Sequence, residues 1–142
     1  KLVRYFENWC AIIDSLEICK NLAENMELLP FNRAAEITVA TTGLPFTEKA
    51  MFEIGERIVN LERVYLVREG IRRKDDNLPT RFLEEPLRNG SSKGAIFEIE
   101  PMLNEYYAER EWDPKTGIPK AEKLRKIGLG YAILNLEETR LK

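Results

Sequence analysis

The sequence contains no histidine and only two cysteines among its 142 residues. The most common side chain for acid–base catalysis near neutral pH is therefore missing. Two cysteines do not form a disulfide framework, and so small a number is typical of a protein in a reducing compartment. On one continuous helix, Cys10 and Cys19 could not bind the same metal ion, because nine residues at about 100° each place them on opposite faces.

The sequence also has no excess of basic residues. Its 22 lysines and arginines face 24 aspartates and glutamates, giving a net charge of −2 and an isoelectric point near 5.4. This balance excludes the basic surface that nucleic acids or anionic lipids require. The apolar stretches are far shorter than the roughly 18–20 residues of a membrane span, and no signal peptide is visible. We therefore predict a cytoplasmic protein without nucleic-acid or membrane partners.

The length and composition are typical of one globular domain, with 44% apolar and 32% charged residues. We predict a single helical domain over residues 1–142. Because a helical pattern is already running at Leu2 and the first residue is lysine, we interpret the chain as a fragment of a larger protein.

Apolar residues recur every three or four positions in the first segment, which predicts an amphipathic helix. They are Leu2, Phe6, Trp9, Ile13 and Leu16. This helix is expected to break between Asp14 and Cys19. A second helix should begin after Asn32, which we interpret as its N-cap, run to Thr42 and end at Gly43.

Thr47 is placed to cap the longest helix, predicted over about 48–69 and stopped by Gly70. One apolar stripe is predicted to face its core, formed by Ile54, Ile58, Leu61 and Tyr65. From 71 to 97 no periodicity survives, and so long a loop in a compact domain indicates function or contact with a partner.

The last third of the chain predicts three further helices separated by turns. The first starts at Glu100-Pro101, with Met102, Leu103, Tyr106 and Tyr107 inward. A turn over 112–117 follows, then a short helix over 121–127 and a last helix from about Tyr131. No period-two pattern indicates a strand. The predicted fold is all-α, an irregular bundle of about six helices with one long ordered loop over about 71–97.

The segment most open to a functional interpretation is Asp14-Ser15-Leu16-Glu17-Ile18-Cys19. Cys19 is either a metal or cluster ligand or a small buried apolar residue, and isolated cysteines are more often the latter. Asp14 is either a solvated charge or a group with a partner. A solvated charge is the better interpretation, but its place at the C-terminal end of a helix, where the helix dipole disfavours an anion, is a small reason to expect a partner.

A series of short segments, taken together and in order, resembles the C-terminal helical domain of the tungsten-containing aldehyde ferredoxin oxidoreductases. The resemblance covers nearly the whole chain. The segments are Asn60-Leu61-Glu62-Arg63, Arg68-Glu69-Gly70, Asp75-Asp76-x-Leu78-Pro79-x-Arg81-Phe82, Glu85-Pro86-Leu87, Ser92-Lys93-Gly94, Glu100-Pro101-Met102-Leu103-x-Glu105-Tyr106-Tyr107, Trp112-Asp113, Gly117-Ile118-Pro119 and Glu122-Lys123-Leu124.

The resemblance gives the segment from Asp14 to Cys19 a function. The family carries Asp-x-x-Gly-Leu-Cys there, so Asp14 is implied to hydrogen-bond a pterin of a tungsten (or molybdenum) bis-pterin cofactor. Cys19 is implied to be the fourth thiolate of a four-iron four-sulfur cluster, and Ile18 to contact the cofactor. The other three cluster cysteines precede this region in the family, so we expect this chain to bind neither group by itself.

The resemblance further implies an enzyme that oxidises aldehydes to carboxylic acids with ferredoxin as electron acceptor. The chain would close the cofactor pocket against the N-terminal domains of the same enzyme. The surface around Asp14–Cys19 should be a domain interface, and in isolation it should be either unusually apolar or covered by a crystal or dimer partner. A homodimer is left open. Glu17 stands where the family has glycine. A glycine at this position indicates close approach of the backbone to the ligand or a positive φ angle. The alternative is a non-catalytic helical interaction module that has kept the fold and lost the cofactor.

Overall fold

The computed structural model describes residues 1–25, 29–134 and 136, and over these residues the chain is all-α. Two 3-10 turns, Arg73–Asp75 and Gly130–Ala132, supplement the helices. The described residues contain no strand beyond one isolated bridge between Trp112 and Pro119. The helices are α1 Leu2–Ser15, α2 Lys20–Asn25, α3 Phe31–Thr42, α4 Glu48–Arg68, α5 Thr80–Glu84, α6 Ile99–Arg110 and α7 Ala121–Lys126. The predicted all-α fold with one long loop is confirmed.

Helix α4 is the central helix of the fold because it contributes side chains to both hydrophobic clusters. Met51, in its first half, packs with Trp9 and Ile13 of α1 and with Phe31 of α3. Its last turns bring Val64 and Val67 into a second cluster, completed by Ile118, Leu124, Leu129, Ala132 and Leu136. Burying these side chains supplies the main stabilisation of the domain.

Helix α1 crosses α4 at close range, and a glycine makes the crossing possible. A Cβ on Gly55 would lie 2.9 Å from the Asn8 Cα and carbonyl carbon and closer still to the carbonyl oxygen. The buried side of α1 carries Asn8, Trp9 and Ile12. Leu2 and Phe6 are exposed, so the predicted stripe is correct only for the C-terminal half of this helix.

Two helix starts test the capping predictions. The Thr47 hydroxyl accepts a hydrogen bond from the Ala50 N–H at 3.1 Å, which confirms the predicted cap of α4. Helix α3 instead begins at Phe31, with Pro30 in the N-cap position and no side-chain cap, so the prediction of Asn32 as the cap was wrong. Gly43, at φ +73°, ends α3 as predicted.

The apolar stripe predicted on α4 was wrong for Leu61 and Tyr65, which are 41% and 55% exposed. The face that α4 buries carries the polar side chains of Glu56, Asn60 and Arg63 beside its valines. Hydrophobic periodicity misplaced the buried face because these polar groups find charged and hydrogen-bonding partners on α1, α6 and the turn after α6.

The stretch over 71–97 is ordered and contains one 3-10 turn and the single-turn helix α5. Its second part, 79–97, forms a small lobe whose described hydrogen bonds all stay within it. The Leu87 N–H donates to Ala95 O and the Phe97 N–H to Phe82 O, both at 3.0 Å. The rings of Phe82 and Phe97 pack edge to face. No residue of this lobe is buried.

The last third of the chain follows its predicted elements closely. In the predicted turn, the Asp113 carboxylate accepts bonds from the Lys115 and Thr116 N–H groups and the Thr116 hydroxyl, which lower the pKa of Asp113. On α6, Tyr107 is buried but Met102 is exposed, against the prediction. The helix predicted from about Tyr131 lies partly outside the described residues. No helix in the described part of the chain is long and apolar enough to cross a membrane.

Candidate functional site at the end of the first helix

The turn after α1 has the hydrogen-bond pattern of a Schellman motif, in which a left-handed residue ends a helix. The Ile18 N–H donates to Ile13 O, and the Glu17 N–H donates to Asp14 O, both at 3.1 Å. Glu17 lies between them at φ +56°, the left-handed position where glycine is usual. The expected break between Asp14 and Cys19 is confirmed, and the positive φ explains why glycine suits this position.

Ile18 follows the left-handed residue and packs partly against the first hydrophobic cluster, which includes Ile13. A contact between these two positions commonly accompanies a Schellman motif. The side chain of Ile18 therefore has a structural role in fixing the turn, and the part that remains accessible is where a cofactor could touch it.

Asp14 lies on the surface and forms an ion pair with Lys20, the first residue of α2, with a distance of 2.7 Å from Oδ2 to Nζ. This pair offsets the unfavourable position of a carboxylate at the C-terminal end of α1. Both side chains are about half exposed, so the pair is readily rearranged and contributes little to stability.

Cys19 is exposed and lies directly before α2, whose Ala23 N–H donates to the Cys19 carbonyl. Cys10 differs from it, because Cys10 is half-buried and packs against the first cluster. An exposed thiol on a turn can reach iron, whereas a sealed core thiol could not. Among the described residues no three cysteine, aspartate or glutamate side chains are grouped so as to hold a metal ion. The structure therefore presents one donor rather than a complete ligand set.

The surface of the turn is not apolar as expected, since Asp14, Glu17, Cys19 and Lys20 are all exposed there. That this surface is a domain interface stays a prediction. Exposed large apolar side chains are concentrated instead on the N-terminal half of α1, on α4 and in the 79–97 lobe. The reason is local, because the two large apolar side chains of the turn, Leu16 and Ile18, pack partly against the first hydrophobic cluster.

Sequence patterns missed a buried charge network that fixes α1 against α4, α6 and α7. Its centre is the Glu56 carboxylate, which is 3% exposed. Oε2 accepts from Arg4 Nε and Asn8 Nδ2 at 2.9 Å and from Arg110 Nη1 at 2.8 Å. Oε1 lies 3.0 Å from Lys123 Nζ. The partners are separated by tens of residues in the sequence, so no local signal could have identified them.

The network determines the charge state of its central carboxylate. Burial alone would raise the pKa of Glu56, but hydrogen bonds from Asn8, Arg4 and Lys123, with the nearby Arg110 charge, lower it to about 2. Glu56 is therefore ionised at any physiological pH. It balances two buried cations, which makes the network a rigid support for α1 and the turn that follows it.

Another buried cation, Arg63, fixes the start of the long loop. Arg63 donates to Asp76 through both terminal nitrogens and to Gly117 O through Nε at 2.8 Å. The Tyr107 hydroxyl donates to the same Asp76 carboxylate. The Arg63 guanidinium also stacks 4.9 Å from the Trp112 ring centre. One arginine thus joins α4, the loop and the turn after α6.

Comparison with known proteins places this geometry in context. The family model described as "Aldehyde ferredoxin oxidoreductase, domains 2 & 3" matches residues 1–129. The tungsten-containing aldehyde ferredoxin oxidoreductase of Pyrococcus furiosus is 35% identical over 130 residues, covering 91% of this chain and 21% of that protein. The corresponding protein of Thermococcus kodakarensis is 32% identical, with the same coverage of both chains.

A relative with a different printed name also matches. The aliphatic sulfonate oxidoreductase, WOR-like subunit, of Pyrococcus furiosus is 37% identical over 132 residues, covering 86% of this chain and 20% of that protein. The chain therefore spans about a fifth of the length of the curated relatives it matches. Since the family model matches most of the residues, this chain belongs to the aldehyde ferredoxin oxidoreductase family.

Proposed function

We propose that this chain is the C-terminal helical part of a tungstopterin and iron–sulfur oxidoreductase that oxidises aldehydes to carboxylic acids with ferredoxin as acceptor. In that enzyme it closes the cofactor pocket and supplies one cluster thiolate, from Cys19. The observation that carries the proposal is the exposed thiol of Cys19 on a rigid turn, at the position where the family motif has its cysteine.

The residues of the turn fit the groups they would hold. A thiolate is the ligand that iron–sulfur clusters use, so Cys19 would coordinate one iron. The Asp14 carboxylate would accept hydrogen bonds from pterin N–H groups, because an ionised carboxylate offers acceptors only. Ile18 would cover the pterin with its accessible edge. Reaching the pterin requires Asp14 to rearrange its exposed pair with Lys20.

The chain's own contribution to the chemistry is positional. The bound groups would supply two-electron oxidation at the metal and single-electron transfer through the cluster. The Schellman turn fixes the backbone between Asp14 and Cys19. The Glu56 network holds α1 in place behind it. The turn would thus present the Cys19 thiolate to a cluster iron and the Asp14 carboxylate to the pterin.

The test is removal of the thiol from the full-length protein, with the other cysteine as control. In the Cys19→Ala variant, iron should fall from about four per chain to three or fewer, because a four-iron cluster needs four ligands. The electron paramagnetic resonance signal of the reduced cluster should be lost or replaced. The Cys10→Ala variant removes a thiol nine residues away on α1 and should keep both. Unchanged iron and an unchanged signal in the Cys19 variant would refute the proposal.

One observation favours a second candidate, a non-catalytic helical interaction module. Glu17 places an exposed carboxylate where the family has glycine, next to the position of an anionic cofactor. Metal analysis of the full-length protein separates the two. About one tungsten or molybdenum and four iron per chain support the enzyme, whereas absence of both supports the module.

A further inference from the structure

Helix α4 exposes large apolar side chains although its buried side holds polar groups beside Met51 and its valines. Its buried side holds the charged and amide groups described above, while Leu61, Tyr65 and Leu66 are 41–55% exposed on the other side. A single exposed leucine needs no explanation, but contiguous large apolar side chains on one helix face mark an interaction surface. The sequence pattern that predicted burial of Leu61 and Tyr65 therefore identifies a surface that the described residues leave largely uncovered.

The exposed side of α4 continues into a cavity of about 480 Å³ between α1, α4, α6 and the end of the long loop. Val3, Leu66, Phe97 and Met102 line it, and each is close to half exposed. Leu66 also borders the shallow groove formed with Leu61 and Tyr65. We call this continuous surface, made of Val3, Leu61, Tyr65, Leu66, Phe97 and Met102, the α4 apolar face.

Among the described residues around the cavity, the charged groups that remain open to a new partner are negative. Glu7 accepts from the Tyr106 hydroxyl and Arg110 through Oε2, and no described group bonds its Oε1. Glu62, shared by the cavity and the groove, has no ion pair among the described residues. Arg63, the one cation among the described lining residues, already bonds through all three of its nitrogens. A group that enters the cavity therefore meets carboxylate acceptors.

We propose that the α4 apolar face is the docking surface for another part of the same polypeptide, an apolar segment that brings a basic side chain to Glu62 and Glu7. The inference rests on the proposed function, in which this chain is part of a larger enzyme. The curated relatives are about five times as long as the region matched here, so most of such a polypeptide lies outside this chain. Complementary charge at the rim fixes the register of the docked segment.

The first test measures coverage of the surface in the full-length protein. A Leu66→Cys variant is treated with a maleimide, and the labelled peptide is followed by mass spectrometry in native and urea-unfolded protein. Labelling in the native protein should be slowed by about tenfold or more, as for a site reached only through local opening. A Lys49→Cys variant, on the exposed first turn of the same helix, should be labelled at close to its unfolded rate. Equally fast labelling at both positions would overturn the proposal.

The second test identifies the occupant by charge and concentration. A Glu62→Lys variant, made together with Leu66→Cys, should accelerate labelling at position 66 at least severalfold, whereas Glu53→Lys on the same helix should not. A Glu62→Lys variant that leaves labelling unchanged contradicts the assigned basic partner. Protection that persists at a concentration where the protein is monomeric supports an occupant from the same chain. Protection that disappears on dilution assigns the surface to a second copy and overturns the proposal.

These outcomes are independent of the cofactor proposal. A protein that lacks iron but is protected at position 66 would refute the assignment of Cys19 and support the docking surface. A protein with a complete cluster and an unprotected position 66 would refute the docking surface and leave the assignment of Cys19 standing.

Discussion

Replacing Glu56 with glutamine should destabilise the packing of α1, α4 and α6 severely, although the side chains are nearly identical in shape. Glutamine retains one acceptor oxygen, but its NH₂ group would face donors on whichever side it points, since Arg4, Asn8 and Arg110 surround one oxygen and Lys123 the other. The buried cations would also lose their counter-charge. Breaking a buried pair in this way typically costs about 3–5 kcal/mol.

The assay is hydrogen exchange of the α6 backbone in the full-length protein, read by mass spectrometry. A loss of 3–5 kcal/mol in the local unfolding free energy corresponds to roughly a hundredfold or greater fall in protection. The control is Glu53→Gln, one turn earlier on α4, where an exposed pair with Lys49 at 3.7 Å contributes at most about 0.5 kcal/mol. A fall in protection of less than tenfold for the Glu56→Gln variant would show that the network contributes less to the local unfolding free energy than its burial indicates.

The same carboxylate predicts a pH dependence. Its pKa is lowered in the folded protein from an ordinary value of 4.5 to about 2, so its contribution is complete above pH 4.5 and is lost as the pH falls toward 2. The shift corresponds to about 3 kcal/mol. The Glu56→Gln variant should lack this part of the acid destabilisation, and an acid titration as steep as that of the unaltered protein would contradict the assignment.

Two backbone substitutions test the positions of α1 and its turn. Gly55→Ala should lower the thermal midpoint, because its methyl group would meet the Asn8 backbone and such overpacking costs about 1–3 kcal/mol. The control is Gly130→Ala, where the nearest atom is 3.8 Å away and little effect is expected. Equal effects of the two substitutions would refute the close crossing. Glu17→Gly should raise the midpoint, because a left-handed non-glycine residue costs about 1 kcal/mol. Ser15→Gly, at the last residue of α1, should lower it, because glycine is a poor helix former and the hydrogen bond from the Ser15 hydroxyl to Ala11 O is lost. A Glu17→Gly variant without a gain would show that the turn is unstrained.

The features that the sequence predicted correctly depend on residues close together in the chain. The Thr47 cap, the end of α3 at Gly43 and the break after Asp14 each follow from local hydrogen bonding. The general tendency of an isolated cysteine to be buried does not hold for Cys19, which is exposed because it lies on that break. Local rules of this kind can be applied to one sequence without knowledge of what packs on it.

The features that it missed depend on residues far apart in the chain or on which side of a helix is covered. Arg110 and Asn8 are 102 positions apart and meet in the core, and no periodicity marks either as buried. On α4, periodicity correctly found an apolar face at Leu61 and Tyr65, but that face is exposed in this chain. Hydrophobic patterning identifies which residues avoid water, and cannot identify which molecule covers them.

The closed hydrogen bonding of the 79–97 lobe has a consequence for where the chain tolerates mutation. Since its backbone contacts are satisfied internally, substitutions within it can alter its outline without disturbing α1 and the turn after it. Changes at Arg63 or Asp76 have no such freedom, because these residues hold the stem from which the lobe projects. Damage to the fold should therefore be confined to the lobe when its tip is altered, and should spread to α4 when the stem is altered.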